Sequence, residues 1–357
     1  MNVEHALDQA EWDAFIGRQQ FRPFLQNWTM GEVFRDAGGA PVRLLIKEGG
    51  EIVAICQGII TRARRGPHIA IAYGPIMSDW RSATGDQQVL KMFIDVLKDI
   101  ARNNQCTFIR MSPFWPKSHY PSRQSLVASY QSPLHMFAEH VWYLPLVSPD
   151  AWQGPKSEVR SPRSEEELLM QMRKTTRNLV RRAEREGVTV TASKNPQEDI
   201  EIFLRLHEQT RKRHGFTPYS NAFFRSQVKH FAPRGECTLY IARWKDEVLA
   251  SSIHMHVFGE TSYHHGASSG THPEIPASYL LQWTAIRDAL KRGDHVYSFW
   301  GVAPEGVRGH PFSGVTTFKT GFGGNLLELM HCIDIPLSPA YHLTRAFELL
   351  RKWRRGF

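Results

Sequence analysis

The sequence predicts an α/β (α+β) protein built from two copies of one unit, and three observations support this. Two stretches of chain, about 190 to 195 residues apart, show the same order of predicted elements. A segment rich in Pro, Ser and Gly, residues 148–161, lies between them and reads as a linker. The length of 357 residues is more than one hydrophobic core usually holds. We therefore predict one domain over residues 1–150 and a second over residues 155–324.

Alternating apolar and polar residues predict the strands of each copy. The first copy reads as the strands RLLI, IVAICQGIITRA and IAIAYGP, the helix DQQVLKMFIDVLKDIARN and the strand CTFIRMSP. The second reads as the strands CTLYIARW, VLASSIHMHVF and TSYHHGAS, the helix PASYLLQWTAIRDALKR and the strand HVYSFWG. The first three strands of each copy are joined by short turns, so we expect them to be antiparallel. The shared order indicates a duplicated unit.

Composition points to anionic partners and to a reducing compartment. The chain carries 44 Lys and Arg against 35 Asp and Glu, a net charge of +9, which favours binding to polyanions. The four cysteines have no CxxC spacing, and we expect buried thiols rather than disulfides or a zinc site: Cys56, Cys106, Cys237 and Cys332. The acidic start MNVEHALDQAEWDAF does not resemble a signal peptide, and no run approaches a membrane span. We expect a cytoplasmic protein.

Residues 164–187 predict one strongly basic amphipathic helix. Ser164 and Glu167 form a capping box at its start, and Gly187 ends it. One face is apolar, with Leu169, Met172, Leu179, Val180 and Ala183. The other face is cationic, with Arg173, Lys174, Arg177, Arg181, Arg182 and Arg185. Two interpretations stay open at this point: a solvated face, or a surface that binds a polyanion.

Other kinds of site have weaker support. Four histidines of the second copy, His254, His256, His264 and His265, lie close together in the sequence. No HExxH motif or carboxylate accompanies them, and no serine lies in a G-x-S-x-G turn, so we expect neither a metal nor a Ser-His-Asp triad. The stretch RAFELLRKWRRGF, residues 345–357, is basic and amphipathic, which suits contact with tRNA or with an anionic membrane surface.

The order of elements in each copy resembles the core of the GNAT acyltransferase fold. GNAT enzymes hold acetyl-CoA on a Q/RxxGxG/A loop that opens a helix. After the third strand the first copy reads YGPIMSDW and the second GASSGTHPEIP, and neither contains that loop. We therefore expect no acetyl-CoA and no other cofactor.

Four stretches resemble the Fem family of peptidoglycan cross-bridge aminoacyltransferases, in the family's order. They are FLQNWTMGEVF, KTTRNLVRRAEREGVTV, YHHGAS with SYLLQWTAIRDA, and GVTTFKTGFGG. The resemblance implies two tandem GNAT-like domains with a cleft between them, and residues 325–357 returning to the first domain. The chain lacks the long helical hairpin of FemA-like members, so the compact FemX-like form fits better. We expect a monomer.

The resemblance also implies an activity and its residues. Family members move an amino acid from aminoacyl-tRNA to an amine of the stem peptide on UDP-MurNAc-pentapeptide or lipid II. Lys319 would stabilise the oxyanion and Phe318 would stack on the terminal adenine, beside a loop whose glycines Gly321, Gly323 and Gly324 let substrate approach. The acceptor would be held by Arg213, Tyr263 and Arg35. The tRNA would be bound by Lys174, Arg177, Arg181 and Arg182.

Three departures from the family pattern leave the acceptor open. Phe34 stands where FemX-like members have a lysine, Ser112 where they have an aspartate before proline, and Ser298 where D-F-x-G begins. Two alternatives therefore remain beside a peptidoglycan precursor. One is a tRNA-dependent amide ligase with another acceptor, and the other is a nucleic-acid-binding protein without catalysis. The transferred amino acid is not encoded in a local motif.

Overall fold

The computed structural model describes residues 1–63, 66–78, 83–118, 130–148, 162–215, 219–307 and 310–355. The chain forms two compact units. Unit 1 consists of Met1–Glu139 and Glu328–Phe357, and unit 2 consists of His140–Leu327. Most of the predicted linker, residues 149–161, lies outside the described residues. Among the described helices, none has the length and apolar character needed to span a bilayer.

Unit 1 is a mixed sheet with helices. Its strands are β1 Asn2–His5, β2 Ala40–Glu48, β3 Glu51–Ala63, β4 Gly66–Ala72, β5 Ile76–Met77, β6 Phe108–Ser112, β7 Tyr130–Gln131 and β15 Ile333–Pro336, labelled in chain order. Its helices are α1 Gln9–Gly17, α2 Trp28–Asp36, α3 Ala83–Asn103 and α10 Ala340–Arg355, with a short 3-10 helix at Phe24–Gln26. The sheet order is β1-β2-β3-β4-β6-β15-β7, and β5 pairs with β3. Strands β4 and β6 are parallel, and the other neighbours are antiparallel.

Unit 2 repeats this plan. Its strands are β8 His140–Pro145, β9 Thr189–Ala192, β10 Cys237–Trp244, β11 Glu247–Val257, β12 Glu260–Ser268, β13 Val296–Gly301 and β14 Asn325–Glu328. Its helices are α4 Glu165–Gln171, α5 Lys174–Arg185, α6 Pro196–His214, α7 Asn221–Phe231, α8 Ala277–Arg292 and α9 Ser313–Thr320, with a 3-10 helix at Ala232–Arg234. The sheet order is β14-β8-β13-β12-β11-β10-β9, and β12 and β13 are parallel.

The predicted repeat is confirmed element by element. In each unit three antiparallel strands precede a helix and a strand that pairs in parallel with the third: β2, β3, β4, α3 and β6, then β10, β11, β12, α8 and β13. Both helices pack an apolar stripe on their sheet, as Phe93 and Leu97 do on α3 and Leu281 and Ile286 do on α8. The expected state of the four cysteines is also confirmed, since all are buried and free.

The prediction of one continuous basic helix is wrong. The capping box of Ser164 and Glu167 starts α4 as predicted, but the helix ends at Gln171. Met172 and Arg173 are extended, with ψ angles of 146° and 137°, and α5 starts at Lys174. The break has a physical cause: the Arg173 N–H donates to the Gly321 carbonyl at 2.9 Å instead of continuing the helical ladder. Gly187, with φ of 80°, follows the end of α5.

A buried charge network attaches α10 to the sheet of unit 1. Arg110 on β6 donates to both carboxylate oxygens of Asp334, at 2.7 and 2.8 Å, and to those of Glu348, at 3.0 and 2.6 Å. All three side chains are buried. Burial alone lowers the pKa of the Arg110 guanidinium, and the hydrogen bonds to the two acids outweigh burial and raise it. Removing the guanidinium would leave two buried carboxylates unpaired.

We expect Arg110→Met to reduce the free energy of unfolding by about 3–5 kcal/mol, the usual effect of breaking a buried ion pair on one side. The measurement is urea unfolding followed by circular dichroism. Arg102→Met is the matched control, because Arg102 makes an exposed ion pair with Asp99 at 3.0 Å and should cost at most about 1 kcal/mol. Equal losses in the two variants would contradict a structural role for the network.

Candidate functional site

The parallel pair of unit 2 separates after a short ladder. Strands β12 and β13 pair only from Glu260 with Val296 to Ser262 with Ser298, which is three residue pairs. In unit 1, β4 and β6 pair over five residues, along the whole of β6. Two parallel strands that diverge leave unpaired backbone groups and side chains on either side of the gap. The open end of the β12–β13 ladder is therefore a candidate place for a ligand to approach the sheet of unit 2.

A β-bulge marks this point on β12. His265 pairs with Ile253 and Tyr263 pairs with His254, so His264 is the extra residue that forms the bulge. Its Nδ1 lies 3.0 Å from the Gln227 side-chain nitrogen. Burial lowers the pKa of His264 to about 3, so the ring is neutral near pH 7. The bulge changes the direction of the β12 side chains at the point where the ladder between β12 and β13 ends.

Strand β13 carries a second bulge, directly after the end of its ladder with β12. Ser298 pairs with Tyr143 and Gly301 pairs with Val141, so Phe299 and Trp300 together face one residue of β8. Trp300 has a φ of 64°, in the left-handed region that a bulky side chain rarely adopts. Such backbone strain often accompanies a functional site. The rings of Trp300 and the bulged His264 lie 5.0 Å apart between centroids, so the two irregularities meet.

Lys319 lies at these bulges. Its Nζ donates to the Gly301 carbonyl at 2.7 Å and lies 5.7 Å from the centroid of the Tyr263 ring. The side chain is 8% exposed, and burial lowers the pKa of its amine from 10.5 to about 7. Burial also raises the pKa of Tyr263 to about 12, so its phenol is neutral. The structure thus brings two predicted residues together around an amine that titrates near neutral pH.

Contacts from the start of α5 hold the helix that carries this lysine. The Arg173 guanidinium donates to the Thr317 carbonyl at 2.8 Å and to the Thr320 hydroxyl at 2.9 Å, both on α9. At the end of α9, a Cβ on Gly321 would lie 2.2 Å from the Thr176 hydroxyl of α5, so only glycine fits there. The basic helix and the lysine helix are therefore built against each other. Sequence reasoning missed this contact because it joins residues far apart in the chain.

The prediction that the glycines after Lys319 form a loop open to substrate is wrong. Lys319 itself lies on a helix, and protein atoms occupy the space beside each glycine. A Cβ on Gly323 would meet the Gln171 side chain at 2.9 Å, and one on Gly324 would meet the Tyr143 carbonyl at 2.3 Å. These glycines therefore allow close packing of the chain on itself.

The other predicted site residues outside α5 lie in three places. Phe318 packs on Tyr279 at a centroid distance of 4.9 Å and on Phe322 at 5.5 Å, partly buried at the edge of the core. Arg213 is exposed at the end of α6 and donates to the Ser268 hydroxyl at 2.9 Å and to its carbonyl at 3.2 Å. Ser268 ends β12, so this arginine contacts the same strand as Tyr263, five residues further along it.

The third place is in unit 1. Arg35 is exposed near the end of α2, where it forms an ion pair with Glu32. Phe34 beside it is half-buried. Of the two other positions that depart from the family pattern, Ser112 is buried at the end of β6, and Ser298 is buried and accepts the Trp300 N–H at 3.2 Å. Both serines are therefore part of the packed sheets.

Some cations of α5 have partners within the protein. Arg177 donates to the Leu169 carbonyl at 3.2 Å and the Met170 carbonyl at 3.3 Å, which satisfies the end of α4. Arg182 bonds Glu186 at 2.7 Å. These two predicted tRNA-binding residues therefore have structural roles as well.

A second group of cations on α5 points away from the core. Lys174, Arg181 and Arg185 are spaced by seven and four residues, so they lie on one side of the helix, opposite the buried Thr176, Val180 and Ala183. In the described part of the chain these three exposed cations have no hydrogen bond or ion pair. We call them the α5 stripe.

The strand histidines are bonded within the core. The His254 Nε2 lies 2.7 Å from the Tyr297 hydroxyl, and His256 lies between Thr238 at 2.8 Å and Thr261 at 3.0 Å. Burial lowers the pKa of both rings. Among the described residues, no group of three or more His, Cys, Asp or Glu side chains is arranged to hold a metal ion.

The comparison with protein families identifies the chain. A model of the FemAB family matches residues 7–245 and 234–349. The chain belongs to the FemAB family. The aminoacyltransferase FemA of Staphylococcus epidermidis is 28% identical over 94 residues, which is 26% of this chain. The match spans 22% of that FemAB relative's own length.

Solved structures support the fold of this FemAB family chain. The crystal structure of FemX superposes with a TM-score of 0.78 at 18% identity, covering 96% of this chain and 99% of FemX. A tandem GNAT protein from the clavulanic acid biosynthesis pathway has a TM-score of 0.52 at 12% identity, covering 95% and 99% of the two chains. The prediction of an α/β fold made of tandem GNAT-like units is therefore confirmed.

Because the folded state holds the Lys319 amine at a pKa of about 7, its burial links stability to pH. Between about pH 7 and 10.5 the unfolded chain binds a proton that the folded chain does not, so stability rises with pH. We expect Lys319→Met to be more stable than the parent at pH 6.

This advantage should shrink by at most about 1.4 kcal/mol per pH unit between pH 7 and 10. Urea unfolding of both proteins across that pH range measures the difference, in which other titrating groups cancel. A difference that does not change with pH would mean that the amine of Lys319 titrates like an exposed lysine.

Proposed function

We propose that this protein is an aminoacyltransferase that moves an amino acid from aminoacyl-tRNA to an amine of a peptidoglycan precursor, UDP-MurNAc-pentapeptide or lipid II. One observation carries the proposal: the Lys319 amine is buried at the open end of the β12–β13 ladder, and α5, whose outer face is cationic, packs against its helix. Family membership supports the same assignment. We place the reaction in the cytoplasm, where aminoacyl-tRNA is made and free thiols persist.

The proposed reaction is aminolysis of an ester. The acceptor amine attacks the aminoacyl carbonyl, a C–N bond forms, the C–O bond to the terminal ribose breaks, and the ribose oxygen leaves with a proton. The ester is already activated, so the protein needs to position two substrates and to stabilise the oxyanion. The protonated amine of Lys319 performs the second task. Because burial lowers the pKa of this amine to about 7, its protonated form is present near neutral pH together with the neutral form.

The donor tRNA binds across α5. The α5 stripe of Lys174, Arg181 and Arg185 contacts phosphates, since these exposed cations have no described partner in the chain. Arg177 and Arg182 lie on the same helix and add positive charge while bonding neighbouring protein atoms. The exposed part of Phe318, one residue before the buried lysine, stacks on the terminal adenine.

The acceptor binds through cations and a phenol. Arg213 offers a diphosphate two parallel donors, and its exposed position at the end of α6 leaves it accessible. Tyr263, next to the amine of Lys319, contacts the peptide part of the acceptor. Arg35, which is exposed on unit 1, stays a prediction as an acceptor-binding cation. Phe34, Ser112 and Ser298 replace polar family residues, so the acceptor contacts differ in detail from those of FemX-like relatives.

The direct test is a reaction with defined substrates. Purified protein is mixed with a charged total-tRNA pool and with UDP-MurNAc-pentapeptide or lipid II, and the products are measured by mass spectrometry. An acceptor heavier by one aminoacyl group supports the proposal. Transfer only to other amines would favour a tRNA-dependent ligase outside the cell wall, and tRNA binding without any amide product would favour a non-catalytic binder.

We expect Lys319→Ala to reduce turnover by about 10²- to 10³-fold at saturating substrates, the range for loss of one oxyanion-stabilising group. Acceptor affinity should change little, because the group acts on charge that develops in the transition state. Single-turnover kinetics with charged tRNA measure the effect. Lys319→Arg should restore part of the rate, since it keeps the charge in a different geometry.

Lys194→Ala is the matched control, because Lys194 is an exposed lysine of unit 2 outside the proposed site. It should keep the parental rate. If Lys319→Ala also keeps the parental turnover while folding normally, then Lys319 has no role in the transition state and its assignment is wrong.

We expect replacement of the α5 stripe by glutamine, in the triple variant Lys174→Gln, Arg181→Gln and Arg185→Gln, to weaken tRNA binding. The slope of log K against log salt should become shallower by about two to three, one for each lost phosphate contact. Filter binding across a salt series measures both quantities.

The control removes the same number of cations from α3 of unit 1, in the triple variant Lys91→Gln, Lys98→Gln and Arg102→Gln. It should leave the slope unchanged. Equal slopes for the parent and for a folded α5-stripe variant would identify that stripe as a solvated face, which is the other interpretation of this basic helix.

A further inference from the structure

The C-terminal helix α10 turns its apolar face outward. Leu343, Phe347, Leu350 and Trp353 are between 55% and 80% exposed. Their spacing of four, three and three residues places them on one side of the helix, a stripe about 15 Å long. A helix on a globular domain normally buries this face. We call these four residues the apolar stripe of α10.

The polar side of α10 is the side that packs on unit 1. Tyr341, Thr344 and Glu348 are buried, and Glu348 bonds the buried Arg110 at 2.6 and 3.0 Å. Tyr341 donates to Asp334 of the same network at 3.0 Å. Rotating the helix to hide its apolar stripe would remove Glu348 from Arg110 and leave charges unpaired in the interior. The network therefore holds the apolar stripe at the surface.

The charged residues of α10 next to this stripe are positive. By helical spacing, Arg351 borders the stripe on one side and Arg354 lies at its C-terminal end, whereas Arg345 and Lys352 lie on the side of Glu348. The acid of this helix, Glu348, is the buried partner of Arg110. An occupant of this face must therefore offer an apolar interior and an anionic border. A bilayer with anionic lipid has both, because acyl chains accept the apolar residues and headgroups accept the cations that flank them.

Other occupants fit less well. An RNA backbone would need cations along the centre of the face, where the leucines and Phe347 lie. A second copy of this chain would offer no acid from α10 to Arg351 and Arg354, because the acid of α10, Glu348, is buried against Arg110. Trp353 at one end of the stripe also suits the bilayer, since tryptophan prefers the membrane–water interface.

We propose that α10 is a peripheral membrane-docking helix that lies in the interface of an anionic bilayer with Leu343, Phe347, Leu350 and Trp353 inserted among the lipids. The helix, about 24 Å long, lies parallel to the surface, and Arg351 and Arg354 reach the headgroups. This surface belongs to unit 1 and does not use the residues assigned above to aminoacyl transfer. The membrane-docking proposal goes beyond the proposed reaction, and its test can give a negative result while the test of the reaction gives a positive one.

The test is co-sedimentation of the full chain with vesicles. We expect binding to phosphatidylglycerol–phosphatidylcholine vesicles, weaker binding at high salt, and little binding to phosphatidylcholine alone. The double variant Phe347→Gln and Trp353→Gln should bind anionic vesicles about ten-fold less or weaker, since it removes the largest apolar contacts. Both residues are exposed, so the fold should be unaffected, which circular dichroism checks.

The matched control is Leu7→Gln with Val307→Gln, two exposed apolar side chains elsewhere, and it should bind vesicles like the parent. Aminoacyl transfer to a soluble acceptor, measured without vesicles, should be the same in the α10 variant and the parent. Equal vesicle binding by the α10 variant and the parent would overturn the proposal. The proposal would also be overturned if the parent did not bind anionic vesicles and the α10 variant lost self-association or tRNA binding instead.

Discussion

A buried amine needs a fixed hydrogen-bond acceptor within the protein, and the candidate site of unit 2 depends on this one requirement. The Lys319 amine bonds the Gly301 carbonyl at 2.7 Å, and Gly301 follows Trp300, whose left-handed backbone forms part of the β13 bulge. The lysine's helix is in turn held by Arg173 at the start of α5. A bulge, a strained residue and a basic helix therefore act together to place one amine beside Tyr263. The basic helix has two functions in this account, because its first residues support the lysine while its outer face offers cations to a polyanion.

The duplicated fold is used differently in its two copies. In unit 1 the parallel ladder continues along the whole of β6, and the adjoining strand β15 supports a charge network that holds α10 by its polar side. In unit 2 the ladder stops after three pairs, and its open end carries the amine. The same order of strands and helix thus carries a parallel ladder of five residue pairs in unit 1 and of three in unit 2. A bulge on each of the two strands, opposite β11 and β8 respectively, lies next to the end of this ladder.

The sequence predicted the elements well and the site only in part. Strand and helix positions follow from local periodicity, so the repeat of β2 to β6 in β10 to β13 was visible without a structure. The break before α5 was not visible in the sequence, because the apolar spacing continues through the break. The break is caused by a hydrogen bond to the Gly321 carbonyl, which is distant in the chain. The burial of Lys319 depends on the conformation of Trp300, which no local pattern encodes. The amphipathic character of α10 was predicted, but its orientation is decided by the buried Arg110.

The central claim is that the 3′ end of tRNA reaches the Lys319 amine. Periodate-oxidised tRNA carries a dialdehyde at that end, which forms an imine with a nearby neutral amine and can be fixed by reduction. Burial lowers the pKa of this amine to about 7, so its neutral, nucleophilic form is available at mildly alkaline pH, where exposed lysines remain protonated. Peptide mass mapping after reduction should find Lys319 as the main modified residue, with modification blocked by intact tRNA. Modification confined to exposed lysines such as Lys194 and Lys212, with Lys319 unmodified, would contradict the account.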